Sequence, residues 1–121
     1  PGATGAQAAE SLEIARDLFQ NARMSYDNLE LDAAVEQFEQ ALEAFEENIA
    51  HVSDLTEISD CLVYIAAAQL LQGSSRQARS TIQQLFIIDP ERRPDPDLFP
   101  PPVTEAFEQE SDRMGRVREG R

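Results

Sequence analysis

The chain has 121 residues and a formal net charge of −13, a length that supports one domain with a single core. So negative a charge argues against nucleic acid or an anionic membrane surface as a partner, because both are polyanions and would repel the chain. One cysteine allows no intramolecular disulfide. No apolar run approaches the ~18 residues of a membrane span, so we expect no direct membrane insertion.

The first half of the sequence predicts two helices after a flexible lead over residues 1–6. The composition is rich in Ala, Glu, Gln and Leu, which favour helix. We expect the first helix over residues 7–29, and the second from Asp32, a good N-cap residue, to about Ala50. Apolar residues recur at helical spacing in both: Ala8, Leu12, Ala15, Leu18, Ala22 and Tyr26 in the first, and Ala34, Val35, Phe38, Ala41, Leu42 and Phe45 in the second.

A third helix is predicted after a short loop at residues 51–53. Asp54 and Glu57, three residues apart, resemble a capping box that starts this helix. The run CLVYIAAAQLLQ then supplies apolar residues until Gly73 breaks the pattern.

A fourth helix is predicted from Ser74 or Ser75, which can cap it, to Asp89-Pro90. Ala66 and Ala78 lie on either side of the turn, where two antiparallel helices have to approach closely. The order of elements is therefore two helical hairpins, each too short to bury enough surface alone.

Prolines at 94, 96 and 100–102 predict an extended connector over residues 91–102. We expect a fifth helix over 103–118 to cap the second hairpin, with Leu98 and Phe99 pinned between them, and a tail at 119–121. An alternative is that Pro100–Pro102 forms a polyproline II ligand. The fifth helix rests on a helical stripe: Val103, Ala106, Phe107 and Met114.

Residues up to Pro90 resemble a tetratricopeptide repeat (TPR), a helical hairpin of ~34 residues. With Pro90 at the last position, Gly73 falls at the turn and Ala78 at the small position of the second helix. Residues 15–42 resemble another unit, displaced by about 44 residues. The resemblance implies an all-α fold, a TPR-like stack of two antiparallel helical hairpins plus a C-terminal capping helix. Six positions depart from the family pattern: Asn21, Ser25 and Leu29 in the first unit, and Gln69, Ser75 and Leu85 in the second.

Residues 87–107, which include IIDP, DLFPPPV and EAFEQ, resemble a segment of TPR-bearing envelope proteins of delta-proteobacteria. This resemblance implies a module of a larger bacterial protein in the periplasm or cell envelope. The cytoplasm remains the alternative location.

The TPR resemblance also implies a binding groove, because the first helix of each hairpin lines a concave surface in that family. Arginines beside aromatic rings would suit a peptide, since they supply donors for carboxylates next to apolar contact area. The alternative is that Phe19 and Tyr26 are core residues and the arginines are ordinary surface charges. The matching positions are Arg16, Phe19, Arg23 and Tyr26 in the first unit, and Asp60, Val63, Ala67 and Leu70 in the second.

No constellation of residues in the sequence predicts catalysis, a cofactor or a metal. His51 and Cys61 are single residues of their types, and neither has a sequence partner that makes a nucleophile and base pair. We expect Cys61 to pack as a small apolar residue and His51 to lie in a solvated loop.

Acidic residues on the second helix form a stripe at helical spacing: Glu36, Glu39, Glu43 and Glu46. Two interpretations remain open, an attachment site for a basic partner or divalent cation and a simple solvated face, of which the second is the more economical.

We therefore predict a non-catalytic module that binds a protein or peptide partner. The alternative is a homo-oligomer built by stacking of helical hairpins, since two repeats are fewer than the ~three that such arrays need.

Overall fold

The computed structural model describes residues 5–118, and within this range the secondary structure is entirely helical. Five α-helices follow one another, with a 3₁₀-helix at Ile49–His51 between the second and third. The helices are α1 (Gly5–Asp27), α2 (Leu31–Glu47), α3 (Thr56–Leu71), α4 (Ser75–Ile88) and α5 (Pro101–Arg118). The predicted all-α fold class is confirmed.

Helix α3 forms the centre of the molecule. Every side chain from Cys61 to Gln69 is buried, and the helix packs against α2, α4 and α5. An α-helix that is apolar around its whole circumference needs neighbours on all sides, and the run CLVYIAAA is such a sequence. Helix α1 lies at the edge of the bundle and packs mainly on α2.

The two hairpins have the same turn. In each, the second residue after the helix adopts a left-handed conformation, with φ of 61° at Leu29 and 82° at Gly73. The amide of the next residue donates to a carbonyl five positions back, from Glu30 to Ser25 at 2.9 Å and from Ser74 to Gln69 at 2.8 Å. This is the Schellman arrangement, which normally uses glycine.

The predicted N-caps of α2 and α3 are wrong, although the helices lie where they were expected. Helix α2 begins before Asp32, whose carboxylate accepts a hydrogen bond from the Gln72 amide, so this residue links the two hairpin turns. Asp54 Oδ1 accepts the Thr56 N–H at 2.9 Å ahead of α3, and Glu57 pairs with Arg16 instead of closing a capping box. Ser74 stands at the cap position of α4 without a side-chain bond.

The connector, predicted over residues 91–102, spans residues 89–100 between α4 and α5 in the structure. Two consecutive arginines join it to the helices. Arg92 pairs with Asp60 of α3. Arg93 Nε lies 2.7 Å from Glu108 Oε1 of α5, and its guanidinium carbon lies 5.0 Å from the centroid of the Phe86 ring. The connector is therefore an ordered part of the fold.

Helix α5 begins at Pro101, two residues earlier than expected, because proline is well tolerated in the first turn of a helix. It packs on α4 and α3 through buried Val103 and Phe107, as predicted for a capping helix. Of the two residues expected between α5 and the second hairpin, Phe99 is buried but Leu98 is 58% exposed. The prediction for Leu98 is therefore wrong.

Glu110 is a buried acid between α4 and α5, with 3% of its surface exposed. Its Oε1 accepts a hydrogen bond from Gln83 Nε2 at 2.7 Å, and Oε2 lies 3.6 Å from Arg79 Nε and 3.8 Å from Arg113 Nε. A buried carboxylate needs such partners, and here they fasten α5 to α4.

Most of the predicted lead and all of the tail at 119–121 lie outside the described residues, and residues 5 and 6 already belong to α1. Over the described range, no helix has the length and apolar character to cross a membrane.

Replacing Leu29 by glycine should raise the free energy of unfolding by about 0.5–1 kcal/mol, because glycine removes the steric cost of the left-handed conformation. Leu29 is 72% exposed, so little packing is lost. Urea unfolding followed by circular dichroism measures the change.

The matched control is Gly73→Ala, which should lower stability by about 1 kcal/mol. An added Cβ at Gly73 meets no atom within 4 Å, so this change tests the backbone conformation alone. If both variants shifted stability in the same direction, the left-handed conformation would not be the cause.

Candidate interaction surface

The surface predicted from sequence runs along α1 and α3, and an aromatic cluster lies beneath it. The Tyr64 ring stacks on Phe38 of α2 with centroids 4.9 Å apart. It meets Phe19 and Tyr26 of α1 edge to face, at 5.7 and 5.4 Å. The sequence reasoning missed Tyr64, although an aromatic residue inside the apolar run of α3 was a signal for it.

The connector covers one end of this surface. Phe99 places its ring 5.0 Å from that of Tyr64 and 6.1 Å from that of Tyr26. Tyr26 is consequently 8% exposed. Burial raises its pKa to about 12, and burial also raises the pKa of Tyr64. Tyr26 is therefore a core residue beneath the connector and not an accessible position of the predicted groove.

The two arginines of α1 have different environments. Arg16 is paired, with Nε 2.7 Å from Glu57 Oε2 and a second nitrogen 3.0 Å from Oε1. The guanidinium carbon of Arg23 lies 5.5 Å from the Tyr64 ring centroid, and its buried Nε has no acceptor among the described residues. Arg23 is thus half-buried against the Tyr64 ring and takes part in no ion pair among the described residues.

The predicted residues of α3 are mostly engaged within the chain. Asp60 pairs with Arg92, and Val63 and Ala67 belong to the core. Leu70 lines a separate cavity of about 120 Å³ together with Ile82 and residues of α5.

The structure brings three of the eight predicted residues, Arg16, Phe19 and Asp60, around one cavity of about 240 Å³. Glu57 of α3 also lines this cavity, where it pairs with Arg16. Arg23 lies one turn beyond Phe19 on the same helix. The continuous groove expected from the sequence is thus reduced to its open half, Arg16 to Arg23.

The remaining candidates are placed as follows. Cys61 is fully buried, which raises the pKa of its thiol to about 12, so it packs as an apolar residue. His51 is exposed and lies in the 3₁₀-helix instead of a loop.

Among the residues described, no three His, Cys, Asp or Glu side chains converge as a metal site would require. The acidic residues of α2 are all exposed: Glu36, Glu39, Glu43 and Glu46.

Phe99→Ala should lower the free energy of unfolding by about 3 kcal/mol, because it opens a cavity against Tyr64 and Tyr26. Leu98→Ala is the neighbouring control and should change it by less than about 0.5 kcal/mol. Both follow from urea unfolding curves. Equal effects at the two positions would show that the connector does not depend on the Phe99 contact.

Stability should be constant near neutral pH and fall as the pH rises from about 9 to about 12. Cys61 and Tyr26 have ordinary pKa values of 9.0 and 10.0, and both keep their protons to about 12 in the fold. Above pH 9 the unfolded chain therefore binds fewer protons than the folded chain, which favours unfolding.

Cys61→Ala tests this linkage, because it removes one of the two groups. The variant should lose stability less steeply with pH over this range, as measured by urea unfolding at a series of pH values. A slope equal to that of the wild-type protein would exclude Cys61 as a contributor.

No family model matches the chain, and no curated protein or solved structure shows significant similarity to it.

Proposed function

We propose that this chain is a non-catalytic protein-interaction module that binds an acidic peptide or helix along the open half of the α1–α3 surface. The observation that carries the proposal is the half-buried guanidinium group of Arg23, which takes part in no ion pair among the described residues. A partly desolvated cation without a counter-charge gains free energy when a ligand supplies a carboxylate to this group.

A carboxylate is the natural acceptor, since it forms short, charge-assisted hydrogen bonds with a guanidinium group. The adjoining cavity beside Phe19 offers apolar area for a neighbouring side chain of the same ligand. An acidic residue next to an apolar one is therefore the recognition unit that this surface fits.

The binding surface in this proposal consists of Arg16, Phe19 and Arg23. The predicted Asp60 lines the same cavity but pairs with Arg92 and is no contact for an acidic ligand. The other predicted positions are not part of it. Tyr26, Val63 and Ala67 are buried in the core, and Leu70 lines a different cavity. Arg16 lies at the edge of the surface, where Glu57 holds its guanidinium group. A ligand carboxylate has to compete with Glu57 for Arg16.

The helical-repeat character of the module is part of the same proposal. It is supported by the two hairpins with identical turns at Leu29 and Gly73, and by the buried small residues Ala66 and Ala78 between α3 and α4. The likeness of residues 87–107 to TPR-bearing envelope proteins supports a bacterial envelope setting.

Arg23→Met should lower the affinity for synthetic peptides that carry Asp or Glu beside Phe or Leu by about tenfold, because it removes one charge-assisted contact. Fluorescence anisotropy with labelled peptides measures this. The stability of the variant should stay within about 1 kcal/mol of the wild type, since methionine keeps the side-chain stem and removes an unsatisfied donor.

Arg76→Met is the control, because Arg76 is exposed on α4 and does not line the cavity of the α1–α3 surface. It should leave the affinity unchanged. If wild-type protein bound no acidic peptide, or if both variants lost affinity equally, the α1–α3 proposal would be excluded.

A further inference from the structure

A second groove lies between α2 and α4, with α3 as its floor, and has a volume of about 590 Å³. Its two walls differ in chemistry. Glu36 and Glu39 line the α2 side, whereas Gln77 and Gln84 line the α4 side. Half-buried Val35 and Leu42 add apolar area to the base of the α2 wall.

The acidic wall has no counter-charge within the part of the chain that the structure describes. None of the ion pairs among the described residues involves a carboxylate of α2, and no basic residue lines the groove. The sequence explains this, because it holds no Arg or Lys between Arg23 and Arg76. Asp32, at one end of the groove, accepts a hydrogen bond from a neutral amide, that of Gln72.

We propose that this groove is the docking site for a basic amphipathic helix of a partner protein. The apolar strip fits the apolar face of such a helix, the α2 carboxylates pair with Lys or Arg along one flank, and the glutamines accept polar groups along the other. From Val35 to Leu42 the wall extends about 10 Å, so about two turns of the ligand are in contact.

Charge complementarity selects this occupant over other polymers. Nucleic acid and anionic lipid present negative charge to a wall that is already negative, so they are repelled. The proposal is independent of the acidic-peptide site on α1 and α3, because the two surfaces use different residues and attract ligands of opposite charge.

The probe is a labelled synthetic 18-residue helix of Leu, Ala and Lys, with leucines at i, i+3, i+4 and i+7 and lysines along one flank. A scrambled peptide of the same composition is its control. We expect the ordered peptide to bind more tightly than the scrambled one by at least about tenfold, and the affinity to fall with added salt. Equal binding of the two peptides would reduce the groove to non-specific charge attraction and overturn the proposal.

Gln84→Arg and Gln40→Arg form a matched pair of variants. Both glutamines are exposed on helices, but only Gln84 lines the groove, so the same change in net charge is made inside and outside the site. Gln84→Arg should weaken binding of the ordered peptide about tenfold, because it places like charge against the lysines. Gln40→Arg should change it by less than about twofold.

Glu36→Gln with Glu39→Gln removes the acidic wall without adding charge and should weaken binding about fivefold. Arg23→Met should leave binding of this peptide unchanged. Two results would overturn the proposal: equal effects of the two arginine variants, or wild-type self-association in sedimentation that Gln84→Arg abolishes, which would assign the groove to a second copy of the chain.

Discussion

The packing around Tyr64 is the contact on which the arrangement of this protein depends. A single ring stacks on Phe38 of α2, meets Phe19 and Tyr26 of α1, and receives Phe99 from the connector. Each such aromatic pair contributes about 0.5–1.5 kcal/mol beyond its buried area. Because these rings belong to four separate segments, the cluster joins the first hairpin, the second hairpin and the C-terminal part into one body.

The same cluster decides which surfaces remain available to partners. By drawing Phe99 onto Tyr26 and Tyr64, it covers one end of the α1–α3 surface, whereas half-buried Arg23 has no ion-pair partner among the described residues. The α2–α4 groove lies away from the connector contacts, and no described residue supplies a counter-charge to its acidic wall. The protein thus offers two candidate surfaces of opposite chemistry, separated by its aromatic centre.

The sequence predicted the helices well, because their apolar spacing and the breaker Gly73 are local signals. It did not predict that Leu29 takes the same left-handed turn, since leucine has no preference for it and the hairpin imposes it. Asp32 was expected as a cap because of its residue type, but its hydrogen-bond partner Gln72 is 40 positions away. Local spacing contains no information about a partner at that distance.

The candidate surface was predicted less well than the fold, for a related reason. The positions implied by the TPR resemblance include Phe19 and Arg23, and both side chains do lie against Tyr64 of α3. These positions do not show that the connector returns to the same face. Within an irregular, proline-rich segment no periodicity distinguishes buried Phe99 from exposed Leu98, so the residue that closes the surface became visible only in three dimensions.

The burial of α3 around its circumference has a consequence for how the chain folds. In a solenoid each repeat contacts only its neighbours, so structure can form at one repeat and spread. Here the central helix has no solvent face from Cys61 to Gln69 and requires α2, α4, α5 and the connector together. An intermediate that lacks α5 exposes apolar surface of α3 and α4, which favours aggregation. The chain should therefore fold as one cooperative unit, and its hairpins are not interchangeable modules.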